Sequence, residues 1–214
     1  MPAPNVVIVD YGVGNLLSVQ RALEHCGVKA VITGDADLIL AAAKVVLPGV
    51  GAFPAGMKQL AAQGLDRVVR EVAGNGVPLL GICLGMQMLV DGSDEFGSSA
   101  GLGLIPGRVV AVPAIGSAGL AHKIPHIGWN ELRPGTGGAN WNTGLLRGVE
   151  PGQAVYFVHS FMVEPADSWH RIADCLYGGI RIAAVVAHAN VMGCQFHPEK
   201  SGAVGLEILR NFLS

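Results

Sequence analysis

Residues 5–10 read Asn-Val-Val-Ile-Val-Asp, a β-branched apolar run closed at both ends by polar side chains. A run with no polar face fits a strand covered on both sides, so a central position in a parallel sheet is expected. After Gly12, Val13, Gly14 and Asn15 the apolar residues Leu16, Val19, Leu23 and Cys26 recur at helical spacing, and Gly27 stands where a helix would stop. The unit repeats. Residues 28–32 and 45–47 read as strands, 57–72 as a helix, and 78–82 as a strand followed at once by a helical pattern over 84–90. Alternation of this kind predicts an α/β fold with a doubly wound, mostly parallel sheet, right-handed crossovers and flanking helices. Beyond Gly107 the signal changes to short strands at 108–112, 154–160, 171–177, 180–187 and 191–196, an additional antiparallel portion, with a last helix over 203–212. Residues 114–119 and 134–148 read as loops.

At 214 residues, one domain over 1–214 is expected. Mean hydropathy is +0.45, yet the best candidate for a membrane span, residues 77–90, is shorter than the roughly 18 residues required and is interrupted by Pro78, Gly81, Gly85 and Gln87. No basic stretch precedes an apolar one at the N-terminus, so a cytoplasmic location is expected. A net charge of −2 gives no basic stripe for nucleic acid. The cysteines at 26, 83, 175 and 194 form no Cys-x-x-Cys pair, so neither a metal nor a cofactor is expected. The turn at Gly12 and Gly14 is no dinucleotide site, because Leu17 stands where a third glycine belongs.

Cys83 sits between Gly81 and Gly85 where a buried strand meets a helix. A sharp strand-to-helix turn strains the backbone of its central residue and leaves no room for side chains two positions away. A cysteine in that place stands at a helix N-terminus, where the dipole's positive end favours the nucleophilic thiolate. The Leu84 amide and a second donor from Gly49-Val50-Gly51 are candidates for holding an oxyanion. The bland reading is a buried structural cysteine.

Gln195-Phe196-His197-Pro198-Glu199-Lys200 ends a strand and places a histidine and a carboxylate two residues apart in a segment expected to be extended. Glu199 is then able to accept the imidazole N–H and orient His197 as base for Cys83. A zinc-deaminase reading of His-x-Glu requires a Pro-Cys-x-x-Cys that the chain lacks. Of the other histidines, His159, at a strand end, is the serious competitor for the base. His25 and His170 fall at element ends, His188 inside a strand, and His122 and His126 in a loop.

Gly-Ile-Cys-Leu-Gly-Met-Gln at 81–87 and Gln-Phe-His-Pro-Glu-Lys-Ser at 195–201 together resemble the class I glutamine amidotransferases. Within that family, Asp-Tyr-Gly-Val-Gly-Asn at 10–15, Leu-Pro-Gly-Val-Gly-Ala-Phe at 47–53, Pro-His-Ile-Gly-Trp-Asn at 125–130 and Tyr-Phe-Val-His-Ser-Phe at 156–161 are similar to the glutaminase subunits of imidazole glycerol phosphate synthases. The resemblance implies Cys83 as nucleophile, His197 as base and Glu199 as its orienter, with a glutamyl thioester as intermediate. It implies an oxyanion site at Val50, Gly51 and Leu84, and L-glutamine held by Gly51, Gln87, Glu95, His159, Ser160 and Phe161. It further implies a (β/α)8 cyclase subunit as partner in a heterodimer, receiving ammonia for histidine biosynthesis. The alternatives are the glutaminase of another synthase and a non-catalytic regulatory subunit. The chain departs from the family where His159-Ser160-Phe161-Met162 replaces His-Ser-Tyr-Tyr.

Overall fold

The structure is a computed structural model that describes residues 4–138, 140–142 and 144–214. Along the chain come β1 (Val6–Val9), α1 (Leu16–His25), β2 (Ala30–Thr33), α2 (Ala36–Leu40) and β3 (Lys44–Gly49). Next are α3 (Phe53–Ala62), α4 (Leu65–Gly74), β4 (Leu79–Cys83), α5 (Leu84–Met88), β5 (Val90–Ser93), β6 (Ser99–Ala100) and β7 (Ile105–Ala111). The second half holds β8 (His126–Glu131), β9 (Arg133–Pro134), β10 (Ala154–His159), β11 (Phe161–Pro165), β12 (Arg171–Tyr177), β13 (Ile180–His188), β14 (Val191–Cys194) and α6 (Gly202–Leu213).

An eight-stranded sheet in the order β2-β1-β3-β4-β14-β13-β12-β9 forms the centre of the fold. From β2 to β14 its strands run parallel, and from β14 to β9 antiparallel. A four-stranded sheet, β11-β7-β5-β6, and a separate antiparallel pair, β10-β8, accompany it. The doubly wound, mostly parallel sheet with an antiparallel portion is therefore present.

The alternation of side chains along each strand divides the core in two. Val6, Ile8, Val46, Leu80 and Ile82 face α1 and α6 through Val19, Leu23, Ile208 and Phe212. Val7, Val9, Val45, Leu47 and Leu79 face α3 and α4 through Leu60, Val69 and Val72. Apolar side chains are needed at every position of β1 because both faces are covered; all four of its residues are buried.

Several expectations are corrected. β1 is an interior strand, but it lies second from the sheet edge rather than at the middle. The helix expected over 57–72 is two, beginning at Phe53 and broken at Gln63 and Gly64, where Gly64 adopts φ 70. A single glycine is tolerated inside a helical pattern, so its role as a break is invisible to periodicity. His126 opens a strand rather than lying in a loop, and His188 is the last residue of β13. Within the glycine-rich stretch, residues 139 and 143 lie outside the described residues. Gly135 and Gly137 press against the carbonyls of Arg171 and Ser168, which leaves no space for a side chain there.

Candidate active site

Cys83 ends β4 and begins the turn into α5 with φ 55 and ψ −110, a conformation that side chains rarely adopt. The flanking glycines make the turn possible. A Cβ at Gly81 would lie 2.7 Å from the Met86 nitrogen, and one at Gly85 would overlap the Leu47 carbonyl of neighbouring β3. The elbow is thus locked between its own helix and the adjacent strand. Leu84 is the first residue of α5, so its N–H has no partner within the helix and is free to meet an anion.

His197 follows β14, the strand beside β4, and its backbone is tied to Tyr156 and Ser201. Its amide donates to the Tyr156 carbonyl at 3.0 Å, and its carbonyl accepts from Ser201 Oγ at 2.7 Å. The same Ser201 hydroxyl oxygen accepts the Tyr156 amide at 3.0 Å. The Nδ1 atom lies 2.8 Å from Glu199 Oε1, and both side chains are buried. Nε2 is buried without a hydrogen bond from another residue, on the side of the ring that faces Cys83. Pro198–Lys200 is a 3-10 turn rather than the extended segment expected. The proline φ suits either conformation, and the tighter turn still brings Glu199 back to the imidazole.

Burial opposes a charge on His197, but the Cys83 sulfur and the Glu199 carboxylate outweigh it, and the ring's pKa is pushed up to about 9. A raised folded-state value means that the charged ring contributes stability fully below its ordinary value of about 6.5. That contribution is lost as pH rises through about 9. Titrated by NMR, His197 should change charge near pH 9 in the intact protein. In Cys83→Ala it should do so at least about one pH unit lower, since the sulfur is the first of the groups that raise it. An unchanged titration in the variant would mean that the two side chains do not interact.

His159 is removed as a competing base by its own hydrogen bonds. Nδ1 lies 2.8 Å from the Phe161 carbonyl, and Nε2 lies 3.0 Å from His126 Nδ1. Burial lowers the pKa of both rings to about 4, so both are neutral. With Nδ1–H given to a carbonyl, Nε2 accepts from His126 and has no capacity left for a thiol proton.

A cavity of about 280 Å³ opens beside Cys83 and brings the other expected residues together. Val50, Gly51 and Leu84 line one part; Gln87, Glu95, His159, Ser160 and Phe161 line the rest, with His197 beside the sulfur. Gly51 has φ 98 just past the end of β3, and Val50 is exposed. Gln87 Nε2 is committed to the Phe161 carbonyl at 3.1 Å and Gln195 Oε1 at 3.0 Å, so it offers a ligand only its oxygen. Glu95 is buried, and its Oε2 accepts the Phe53 amide at the α3 N-terminus at 2.6 Å. The departure at Phe161 matters less than its sequence suggests, because what Phe161 supplies to this network is its backbone carbonyl.

Two further residues shape the site without having been singled out by sequence. Tyr11 is fully buried after β1 and donates its hydroxyl to the Pro48 carbonyl at 2.8 Å, steadying the strand end before Gly49 and Val50. Gln195, also fully buried, places Nε2 3.8 Å from the Cys83 sulfur. The available signal was a polar residue interrupting an apolar run at Cys194-Gln195-Phe196.

The family model for "Glutamine amidotransferase class-I" matches residues 7–214. An imidazole glycerol phosphate synthase subunit HisH 1 of Legionella pneumophila (strain Lens) is 50% identical over 209 residues, covering 98% of each chain. The HisH subunit of Geobacillus kaustophilus is 48% identical over 206 residues, 96% of this chain and 94% of that one. Among solved structures, a glutamine amidotransferase superposes with a TM-score of 0.71 at 18% identity, covering 97% of this chain and 96% of that one. A chain of PurLQS from Thermotoga maritima gives 0.71 at 21% identity, covering 99% and 98%. At those identities the solved structures attest the fold alone.

Proposed function

The chain belongs to the class I glutamine amidotransferase family, and from that premise we propose that it is the glutaminase subunit of an imidazole glycerol phosphate synthase. It hydrolyses L-glutamine to glutamate and ammonia and delivers the ammonia to a (β/α)8 cyclase subunit in a heterodimer. The observation that carries the chemistry is the buried, unpartnered Nε2 of His197 beside Cys83, with Nδ1 fixed by Glu199 at 2.8 Å.

The steps follow from those positions. Cys83 thiolate attacks the side-chain carbonyl of glutamine, and negative charge develops on the carbonyl oxygen near the Leu84 amide and the 50–51 backbone. The tetrahedral intermediate collapses as His197 gives its proton to the amide nitrogen, so the C–N bond breaks, ammonia leaves and a thioester remains. Water then attacks the thioester, giving its proton back to His197, and glutamate departs as the C–S bond breaks. Glu199 keeps the imidazole in one tautomer and supports its charge throughout. Glu95 and the Gln87 oxygen are acceptors suited to the α-ammonium of the substrate, and Gly51, Ser160 and Phe161 shape the rest of the pocket. Four free cysteines fit a reducing compartment, in line with a cytoplasmic reaction.

Ammonia is largely protonated in neutral water and is then no nucleophile, so release into solvent would waste it. A docked acceptor subunit is the consequence. Glutamine hydrolysis should therefore be slow for the isolated chain and rise when a cyclase subunit and its ligand are added, through movement of residues 49–51. Full hydrolysis by the isolated chain, with no response to the cyclase, would defeat this coupling.

A further inference from the structure

The Phe161 carbonyl is able only to accept, and that fixes the direction of a hydrogen-bond chain that reaches the attacking sulfur. It receives His159 Nδ1 at 2.8 Å and Gln87 Nε2 at 3.1 Å. The nitrogen of Gln87 is thereby oriented, and at 3.0 Å from Gln195 it faces Oε1. Gln195 then has its amide nitrogen on the opposite side, 3.8 Å from Cys83 Sγ. Full burial of Gln195, whose backbone N–H donates to the Ala184 carbonyl at 2.9 Å, leaves it no water with which to exchange partners.

The sulfur also lies 3.9 Å from the Val158 carbonyl, an acceptor that suits a thiol S–H. The two neighbours thus match the two protonation states: Val158 accepts from the thiol, and Gln195 donates to the thiolate. We propose that Gln195 is a catalytic residue that stabilises the Cys83 thiolate through its side-chain N–H, with Gln87 as the positioning residue that keeps that N–H aimed at the sulfur. The proposal rests on Cys83 being the nucleophile.

The titratable groups around the sulfur leave room for such a donor. Among these groups of the described residues, His197 is the one that carries positive charge. His159, on β10, is neutral, and Cys194, on β14, is held as a thiol by burial. Tyr11, after β1, is kept protonated by burial and gives its hydroxyl to the Pro48 carbonyl. Glu95, in the same cavity, is engaged with the Phe53 amide, and Glu199 acts through His197.

The test is the second-order rate of Cys83 alkylation by iodoacetamide, followed by intact mass at pH 6 and pH 9.5. In Gln195→Met the rate at pH 6 should fall about tenfold, with less than about a twofold change at pH 9.5. A residue that merely packs would change both rates together or neither. Gln87→Met leaves Gln195 in place but frees its amide, and should give a smaller loss, about threefold, again confined to pH 6. Equal losses at both pH values, or no loss at pH 6 in either variant, would overturn the proposal. A wild-type Cys83 that resists alkylation at both values would instead overturn the nucleophile reading, and this proposal with it.

Discussion

Alanine in place of Cys83 is expected to lower glutamine hydrolysis by roughly a millionfold, to the background of any assay, because the rest of a triad does little without its nucleophile. The same position carries a structural prediction. Holding a non-glycine residue at φ 55 and ψ −110 costs about 1–3 kcal/mol, and alanine retains that cost while glycine escapes it. Cys83→Gly should therefore be as inactive as Cys83→Ala but more stable, by about 1 kcal/mol, in urea denaturation. Elsewhere the order is usually the reverse, because glycine has the larger unfolded-state entropy. An alanine variant at least as stable as the glycine variant would mean that the elbow is not strained.

Gly85→Ala should have the largest effect on folding. Its Cβ would overlap the Leu47 carbonyl, a backbone atom in the middle of the sheet that no rotamer change can move. Either β3 separates from β4 or the elbow unwinds, and both break the packing of Leu47 and Leu84 in the core that faces α3 and α4. A loss of about 4 kcal/mol or more is expected, which is a large share of the roughly 5–15 kcal/mol that a domain possesses. Gly74, at the end of α4 with open space around it, provides the contrast. Gly74→Ala should stabilise by about 0.5 kcal/mol, since it only restricts the unfolded chain. Thermal or urea unfolding of the two variants measures both effects, and a Gly85→Ala protein of wild-type stability would refute the close approach of α5 to β3.

The residues legible from sequence share one property: their constraint is local. β1 is recognisable because its apolar run needs no knowledge of what covers it. The elbow is recognisable because Gly81 and Gly85 are excluded volume written at fixed spacing around Cys83. His197 and Glu199 are two residues apart, so their pairing survived even though the extended segment expected there is a 3-10 turn. What was not legible depends on partners far along the chain. The break at Gly64 is a local exception, since the glycine's left-handed φ of 70 leaves no mark in the apolar periodicity. His126 reads as a loop residue until β10 is known to pair with β8, which sets His159 opposite His126. Gln87 and Gln195 are 108 residues apart, and only the fold shows that each orients the other. Sequence also left His159 as a rival base, a rivalry ended by the hydrogen bonds at its two ring nitrogens.

The nucleophile is tested most directly by treating the protein with an electrophilic analogue of glutamine and mapping the adduct by peptide mass. A single adduct on Cys83, prevented by excess L-glutamine and absent from Cys83→Ala, is the predicted result. An adduct on Cys26, Cys175 or Cys194, or none on Cys83 in a protein that still hydrolyses glutamine, would contradict it.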